Sequence, residues 1–347
     1  MCILGHHNDL TNFQLTTFQL LKSYSTSYTT HILFQSHTYS LPLYFFHLLQ
    51  PPPHPHPLSP YYDIAIAHLP PQTPIIPFTT KDEATSRAEI HADALADGHL
   101  KNQYLVFTNV PQSAMDYWCC SDKGVLHSGR FNYSKASQIM VLKITKPDIP
   151  HEVLCAWDHV WHLKEYDIGL YEKENRDEYY IFYGYLSQLI FVDMIKQTDR
   201  YYRTGPLRGG GCTVVIEAGL PCAEARLDFD ARRWLEAEGG NVSMAVAVVV
   251  WEVLERIVVK TWEYVGTETG EEEKGKGEIA CTQEVVIRRR NGKTVSTGGL
   301  RFPFKTIFGR EPDPNKPVER DIVLEESDLV RVGKRAWREI FGKDVED

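Results

Sequence analysis

The sequence predicts an α/β domain with a mixed central β-sheet flanked by helices. The run Thr213–Ile216 is short, β-branched and bounded by glycine, which indicates a strand buried on both faces. Residues 223–237 place apolar side chains at helical spacing, and residues 242–251 form a second apolar run. A strand–helix–strand segment of this length connects parallel strands by a right-handed crossover. We expect these three elements to form the centre of the fold.

Charge separates an N-terminal segment from this domain. Residues 1–80 carry three charged side chains (Asp9, Lys22 and Asp63), whereas the rest of the chain carries the remainder of its 37 basic and 46 acidic residues. The segment has no sustained apolar period, and its His-Pro tract at 51–57 favours an extended polyproline conformation. We therefore expect residues 1–80 to be disordered and residues 81–347 to form the domain, with its core at about 138–265.

The first half of the domain is predicted to mix helices and strands. Asp82 can cap a helix that ends at Gly98, and a second helix begins at His151, where apolar residues recur at i, i+3, i+4 and i+7. The other elements predicted here are a strand at 104–107, an aromatic loop at 116–120, a strand at 138–144 and a strand or hairpin at 179–195.

The second half is predicted to end in a hairpin and a helix. Strands at 256–265 and 278–290 are separated by an acidic, glycine-rich tip, and Asn291-Gly292 is a strong type I′ turn signal. A last helix opens at Ser327 and ends at Gly342. Its predicted apolar face consists of Leu329, Val332, Ala336, Trp337 and Ile340.

Composition narrows the class of protein. Seven cysteines without CxxC spacing argue against a disulfide framework and a zinc ribbon. No signal peptide or bilayer-spanning apolar run is evident, so we expect an intracellular protein, cytoplasmic or nuclear, without a membrane partner. The net charge of −9 disfavours a general nucleic-acid coat. The basic cluster Arg288–Arg290 has two interpretations, a solvated hairpin end or a phosphate-binding patch.

Two carboxylates are candidates for a metal site. Glu217 ends the buried strand, where open α/β sheets place their chemistry, and Asp199 lies eighteen residues earlier. A strand turn or hairpin would bring them together, and two carboxylates at a sheet edge form an oxygen-rich site for Mg²⁺. The alternative is that both are ordinary solvated residues, at a strand end and in a turn.

Other constellations carry less weight. His151, Glu152, His159 and His162 are rich in zinc-ligand types but lack HExxH spacing. A thiol nucleophile at Cys155 or Cys222 lacks a nearby histidine with an assigned role. The chain contains no GxSxG, P-loop or GxGxxG motif.

Seven short motifs in combination resemble a family of fungal proteins of unknown function, from about residue 85 to the C terminus. That family is in turn similar to the PD-(D/E)XK, or restriction-endonuclease-like, superfamily, and especially to its Uma2-type branch. The motifs are His151-Glu152, Lys196-x-x-Asp199, Thr213-Val-Val-Ile-Glu217-Ala-Gly219, Leu227-x-x-Asp230-Ala-Arg-Arg-Trp234, Gly240-x-Val242, Lys260-x-Trp262-Glu263 and Pro303-Phe304-x-x-x-Phe308.

The resemblance implies a restriction-endonuclease-like core and phosphodiester hydrolysis. It assigns Asp199 and Glu217 as ligands of Mg²⁺ or Mn²⁺ and Glu152 as an accessory acid. In this fold the metal polarises the phosphate and activates water, while a lysine stabilises charge. The implied partner is nucleic acid, and the oligomeric state is left open.

The chain departs from the family pattern at the lysine. Gly219 stands where the motif has Lys, and Thr198 precedes Asp199 where the motif has Pro. In Uma2-like proteins the basic residue lies on the next helix, where Arg232 follows Asp228 by four residues, and Asp230 with Arg233 is the competing pair. The first pair is equally interpreted as a helix salt bridge. Two hypotheses follow, a Mg²⁺-dependent nuclease with Arg232 as its cation, or a catalytically inactive nuclease-fold scaffold that binds protein or nucleic acid.

Overall fold

The computed structural model describes residues 64–120, 129–145, 149–172, 179, 181–184, 188–190, 193–204, 212–237, 242–266 and 277–342. Residues 1–63 lie outside these ranges, so most of the segment expected to be disordered is not described. The acidic tip at 270–276 and the helix end at Gly239-Gly240 also lie outside them.

The chain forms two mixed sheets rather than the single predicted sheet. Sheet A has the strand order β1-β2-β4-β3-β7-β6, and its strands are β1 (Ile75–Pro77), β2 (Tyr104–Thr108), β3 (Gly129–Ser134), β4 (Ile139–Ile144), β6 (Gln188–Ile190) and β7 (Met194–Gln197). Sheet B has the order β13-β12-β11-β10-β9-β8-β5, and its strands are β5 (Ile181–Gly184), β8 (Arg200–Thr204), β9 (Cys212–Gly219), β10 (Met244–Trp251), β11 (Arg256–Val265), β12 (Glu278–Arg290) and β13 (Lys293–Ser296). The prediction of one sheet is wrong because the segment predicted as one strand or hairpin, 179–195, contributes to both sheets.

The helices and a third, two-stranded sheet complete the fold. The strands of the small sheet are β14 (Leu300–Phe302) and β15 (Ile322–Leu324). The helices are α1 (Lys81–Ala96), α2 (Gln112–Cys120), α3 (Ile149–Asp167), α4 (Glu224–Glu236), α5 (Phe304–Phe308) and α6 (Glu326–Phe341). In the part of the chain described here, no helix is long and apolar enough to cross a bilayer.

Two local predictions in the first half are wrong. The aromatic loop predicted at 116–120 belongs to α2, because Ala114, Met115 and Trp118 recur at helical spacing and are buried against sheet A. The cap of α1 is Thr80 rather than Asp82, since the Thr80 side chain accepts a hydrogen bond from the Glu83 amide.

The central unit and the C-terminal hairpin are confirmed. β9 and β10 pair in parallel with Glu217 opposite Ala247, and α4 connects them. All eight residues of β9 are buried. Asn291 and Gly292 join β12 to β13 with φ values of 52° and 77°, as a type I′ turn requires.

The packed part of the chain begins before the predicted boundary at residue 81. β1 pairs in parallel with β2 at the edge of sheet A, and Ala65, Ile66 and Leu69 pack on the core around α4. Residues 64–80 therefore belong with the domain.

Buried apolar residues form three layers, and each layer covers one or two faces of the sheets. The layer that a strand residue belongs to shows which face its side chain points to. Helices α1 and α2 cover one face of sheet A, α4 packs between the other face and sheet B, and α3 and α6 cover the far face of sheet B. Side chains alternate along β4, so Ile139 and Val141 face the α4 layer, while Met140 and Leu142 face α1 and α2. By the same alternation Lys143 points toward the α4 layer.

Candidate functional site

The two carboxylates singled out in the sequence meet at one buried ammonium group. Lys143 Nζ lies 2.5 Å from Asp199 Oδ2 and 2.6 Å from Glu217 Oε2. The Ala218 carbonyl oxygen accepts a longer hydrogen bond from the same nitrogen, at 3.4 Å. All three side chains are almost fully buried, with exposed fractions of 7%, 7% and 4% for Lys143, Asp199 and Glu217.

Strand geometry brings these groups together from two sheets. Asp199 lies on the short link between β7 in sheet A and β8 in sheet B. Glu217 lies on β9 two residues after Val215 and therefore shares its face toward α4. Lys143 enters from β4 of sheet A, so the ion pairs join the two sheets.

Each carboxylate has further hydrogen-bond donors. The Ala218 amide donates to Asp199 Oδ2 at 2.8 Å, and Arg130 Nε lies 3.6 Å from Asp199 Oδ1. The Trp234 indole N–H donates to Glu217 Oε1 at 2.9 Å. Both oxygens of each carboxylate therefore face a donor or a cation, as buried charges require.

A second group of buried charges continues the network toward α4. Lys196 Nζ lies 3.2 Å from Asp230 Oδ1 and 3.8 Å from Glu217 Oε1. Arg226 Nε lies 3.2 Å from Asp230 Oδ2, one helical turn earlier on α4. Asp230 is therefore held by two cations, and Lys196 connects its carboxylate to Glu217.

The two lysines have opposite pKa shifts. Burial acts to lower the pKa of Lys143, but the attraction of Asp199 and Glu217 outweighs it and the pKa is raised. Burial is the larger influence on Lys196, and its pKa is lowered despite the nearby carboxylates of Asp230 and Glu217. Lys143 is thus a permanent cation, whereas Lys196 is the more readily deprotonated amine.

The carboxylates also differ. Burial opposes ionisation of Asp199, but the charges of Lys143 and Arg130 and the Ala218 amide hold its pKa below the usual range. Burial raises the pKa of Glu217, in spite of the attraction of Lys143 and Lys196. Asp199 is therefore the carboxylate that stays ionised at lower pH.

The predicted basic residue on α4 does not join this site. Arg232 is exposed, and its guanidinium carbon lies 4.7 Å from the centre of the Trp262 ring. The expected Asp228–Arg232 salt bridge is also wrong, since Asp228 Oδ2 bonds to Lys260 at 2.9 Å. Asp230 and Arg233, the competing pair, do not contact each other either. Asp230 is buried beside Lys196. Arg233 forms ion pairs with Asp193 and Glu236.

Glu152, the accessory acid that the resemblance implied, likewise lies apart from the carboxylates. Glu152 lies in the first turn of α3, and no hydrogen bond or ion pair joins it to Asp199, Glu217 or Lys143, all of which the structure describes. Its neighbour His151 instead lines a cavity beside Asp199.

Close packing limits the side chain that position 219 can carry. A Cβ atom at Gly219 would lie 3.1 Å from Leu227 Cδ1 and 3.2 Å from Gln103 Oε1. That Gln103 oxygen also accepts a hydrogen bond from the Leu220 amide at 2.8 Å. A long side chain at position 219 would have to displace both neighbours.

Sequence reasoning missed Lys143, although a signal exists. In Ile139–Ile144 every residue is buried and Lys143 is the one charged side chain. A lysine in a short strand that is otherwise apolar is rarely buried without a charged partner. Arg130, on the neighbouring strand β3, carries no comparable signal because β3 alternates between buried and partly buried residues.

Two small cavities flank the ion pairs. One, of about 40 Å³, is lined by polar and charged groups that include Gln103, Arg130, Lys143, His151 and Arg200. The other, of about 20 Å³, lies toward α4 between Tyr104, Lys196 and Asp230. Both exceed the roughly 10–15 Å³ that a water molecule needs, so water has room on either side of Lys143.

The oxygen atoms around Lys143 match the ligand preference of a hard divalent cation. Asp199 Oδ2, Glu217 Oε2 and the Ala218 carbonyl oxygen all contact the same nitrogen. Mg²⁺ binds one or two carboxylates and completes its shell with water. Within the described ranges, no three His, Cys, Asp or Glu side chains gather as a metal site.

The candidate thiol does have a histidine beside it. Cys155 Sγ lies 3.3 Å from His151 Nε2, one turn earlier on α3, so the expectation that it lacks a histidine partner is wrong. Burial raises the pKa of the Cys155 thiol, although Arg200 acts in the opposite direction. The thiol form is favoured, which argues against nucleophilic chemistry here.

The buried carboxylate of Asp230 predicts that the protein becomes less stable at acid pH. Burial opposes ionisation of Asp230, but Arg226 and Lys196 lower its pKa. A carboxyl with a lowered folded-state pKa stabilises the protein above its unfolded pKa of about 3.9, and that contribution disappears as the pH falls through the folded value. We expect Asp230→Asn to be less stable at pH 7, with the difference from the unsubstituted protein narrowing below about pH 4.

Urea unfolding at pH 7, 5 and 3.5 measures this narrowing. The exposed residue Asp93 supplies a matched control, Asp93→Asn, which should be close to neutral at each pH. A stability difference for Asp230→Asn that stays constant across the series would contradict the assignment.

Comparison with known proteins finds no family model that matches this chain and no matching curated protein.

Proposed function

We propose that this protein is a divalent-metal-dependent phosphodiester hydrolase acting on nucleic acid. The observation that carries the proposal is the convergence of Asp199, Glu217 and the Ala218 carbonyl on a single buried cation. This set of oxygens suits Mg²⁺ or Mn²⁺, and a small polar cavity adjoins it.

The arrangement of elements supports the finer expectation of a restriction-endonuclease-like core. Helix α3 precedes the site, Asp199 comes directly before β8, Glu217 lies in the adjacent strand β9, and α4 leads to the parallel strand β10. Asp199, Glu217 and Trp234, from three of the motifs that carry the resemblance, thus lie close together.

A divalent ion bound here would polarise a phosphodiester and lower the pKa of a bound water molecule. Asp199 and Glu217 would hold it, with Asp199 the more strongly anionic of the two. Lys143 would leave the position between the carboxylates and donate hydrogen bonds to the phosphate oxygens as their charge increases. Lys143 would therefore supply the charge stabilisation that the family pattern assigns to a lysine at position 219, where this chain has glycine.

Lys196 is the candidate for proton transfer. Its lowered pKa makes it a better base than an ordinary lysine, and it lies 3.8 Å from Glu217. Arg232 could not fill this role, because a guanidinium stays protonated near neutral pH.

The second candidate is a catalytically inactive scaffold with the same fold. It is favoured by one observation: the Lys143 ammonium already lies between the two carboxylates, 2.5 and 2.6 Å from their oxygens. In that case the ion pairs only join sheet A to sheet B, and no metal enters.

Metal binding and cleavage separate the two candidates. We expect calorimetry on the full-length protein to detect Mn²⁺ or Mg²⁺ binding that Asp199→Asn and Glu217→Gln abolish. We also expect the protein to cleave end-labelled DNA or RNA, single- or double-stranded, with Mg²⁺, and each substitution to reduce the rate by at least about 100-fold.

Arg232→Met is the matched control. It removes the cation predicted from the sequence and should leave cleavage unchanged, since Arg232 lies on Trp262 away from the carboxylates. Well-folded protein that binds no divalent ion and cleaves none of the four substrates would reject the hydrolase and leave the scaffold.

A further inference from the structure

The exposed face of the C-terminal helix α6 is strongly basic. Arg331, Arg335 and Arg338 are exposed on this face, and Lys334 lies partly buried beside them. Their spacing of three and four residues places them on one side of the helix. The helix therefore presents four cations over about 10 Å of its length, at 1.5 Å per residue.

A groove between α6 and α3 collects these charges. It is lined by His159, Ser327, Val330, Arg331, Lys334, Arg335 and Arg338, and none of these residues is acidic. Its volume of about 390 Å³ is roughly ten times that of the cavity beside Asp199, at about 40 Å³.

The positive charge of this basic groove is only partly compensated. Arg331 shares Asp328 with Lys164, at 3.6 and 2.9 Å respectively. In the described part of the chain, no carboxylate forms an ion pair with Arg335 or Arg338. Burial, and then the neighbouring charges of Arg335, His162 and Arg331, lower the pKa of His159, as a positive surrounding does.

Tight packing holds this helix in place. At Gly333 an added Cβ would lie 2.6 Å from Ile287 Cγ2 and 2.7 Å from Thr294 Cγ2, so the helix lies directly on β12 and β13. The amphipathic pattern therefore fixes which side faces outward: the apolar residues cover sheet B and the basic residues line the groove.

We propose that the groove between α3 and α6 binds the phosphate backbone of nucleic acid without reading its sequence. This inference rests on the proposed function, since it supplies a surface for the substrate of that site. Three arginines line this groove although the protein as a whole has a net charge of −9. Arginine is the side chain best suited to binding phosphate, because its guanidinium can donate two parallel hydrogen bonds.

Helix α3 connects the groove to the candidate active site. His151 lines the cavity beside Asp199, and His159 lines the groove. Eight residues of α-helix span about 12 Å, which corresponds to three or four nucleotides at about 3.4 Å of rise per nucleotide. Helix α3 thus lines both the groove and the cavity beside Asp199.

Salt-dependent binding tests this proposal independently of cleavage. The full-length protein is titrated against a fluorescein-labelled 20-base-pair DNA duplex in EDTA, by anisotropy, from 50 to 300 mM KCl. The double variant Arg335→Gln/Arg338→Gln should bind at least tenfold more weakly at 50 mM, and its slope of log K against log salt should be shallower by about 1.8, at about 0.9 per lost phosphate contact. Arg335→Lys/Arg338→Lys should retain most of the affinity, because charge is conserved.

A second basic surface provides the control. Arg288→Gln/Arg290→Gln removes the same charge from the exposed β12–β13 hairpin and should leave the affinity and the slope nearly unchanged. Equal weakening by the two double variants would mean that only net charge matters and would overturn the proposal. Tighter binding of poly-glutamate than of DNA would overturn it in favour of an acidic protein partner. Because the assay contains no divalent ion, DNA binding without any cleavage in Mg²⁺ would remove the proposed hydrolase while keeping the groove.

Discussion

Replacement of Lys143 by Met should lower the free energy of unfolding by about 3–5 kcal/mol, the usual effect of removing one partner from a buried ion pair. The substitution keeps the side-chain volume but leaves Asp199 and Glu217 facing each other without the cation that lies 2.5 and 2.6 Å from them. Urea unfolding at pH 7 measures the loss. The exposed Lys101, changed to Met, is the matched control and should be nearly neutral.

A double-variant cycle shows whether the loss comes from the ion pair. Glu217→Gln removes the charge that Lys143 compensates, so the combination with Lys143→Met should be less destabilised than the sum of the two changes, by about 1–3 kcal/mol. Additive losses would mean that Lys143 acts by packing alone. Since Lys143 joins β4 of sheet A to β9 of sheet B, the result also measures how strongly these charges hold the two sheets together.

Replacement of Arg226 by Met should cost a similar amount, about 3–5 kcal/mol, because the buried carboxylate of Asp230 loses one of its two cations. Arg226 is 0% exposed, and its Nη1 donates to the carbonyls of Ala65 and Ala67 at 3.0 and 2.7 Å. Asp230 would keep Lys196 as its remaining cation. Two partly buried carbonyl oxygens would also lose this donor.

The same variant should loosen a specific segment. Residues 64–69 lie against α4 partly through these two hydrogen bonds, so their amides should exchange faster in hydrogen-exchange mass spectrometry. Arg232→Met on the same helix is the control, and loss of its contact with Trp262 should cost below about 1 kcal/mol. An equal loss from both variants, or unchanged exchange at 64–69, would refute this role for Arg226.

The sequence predicted correctly the strands, the helix and the turn that depend on residues close together in the chain. The β-branched run before Glu217, the amphipathic segment after it and the apolar run at 242–251 specify β9, α4 and β10, because each pattern has its own period. Asn291-Gly292 specifies its hairpin, since positive φ angles favour these two residues. The meeting of Asp199 and Glu217 also followed from the chain, because β8 and β9 are adjacent antiparallel strands.

Only the tertiary structure decided which cation meets these carboxylates. Lys143 lies 56 residues from Asp199 and 74 from Glu217, on a strand of the other sheet. No local pattern encodes such a contact, whereas Arg232, close in sequence and on the right helix, seemed the natural candidate. Its helix turns Trp234 and Asp230 inward and leaves Arg232 exposed, because 3.6 residues complete each turn and burial of the tryptophan fixes the rotation. The sequence by itself therefore determined the two carboxylates and the strands that carry them, and packing of two sheets across α4 decided which cation pairs with them.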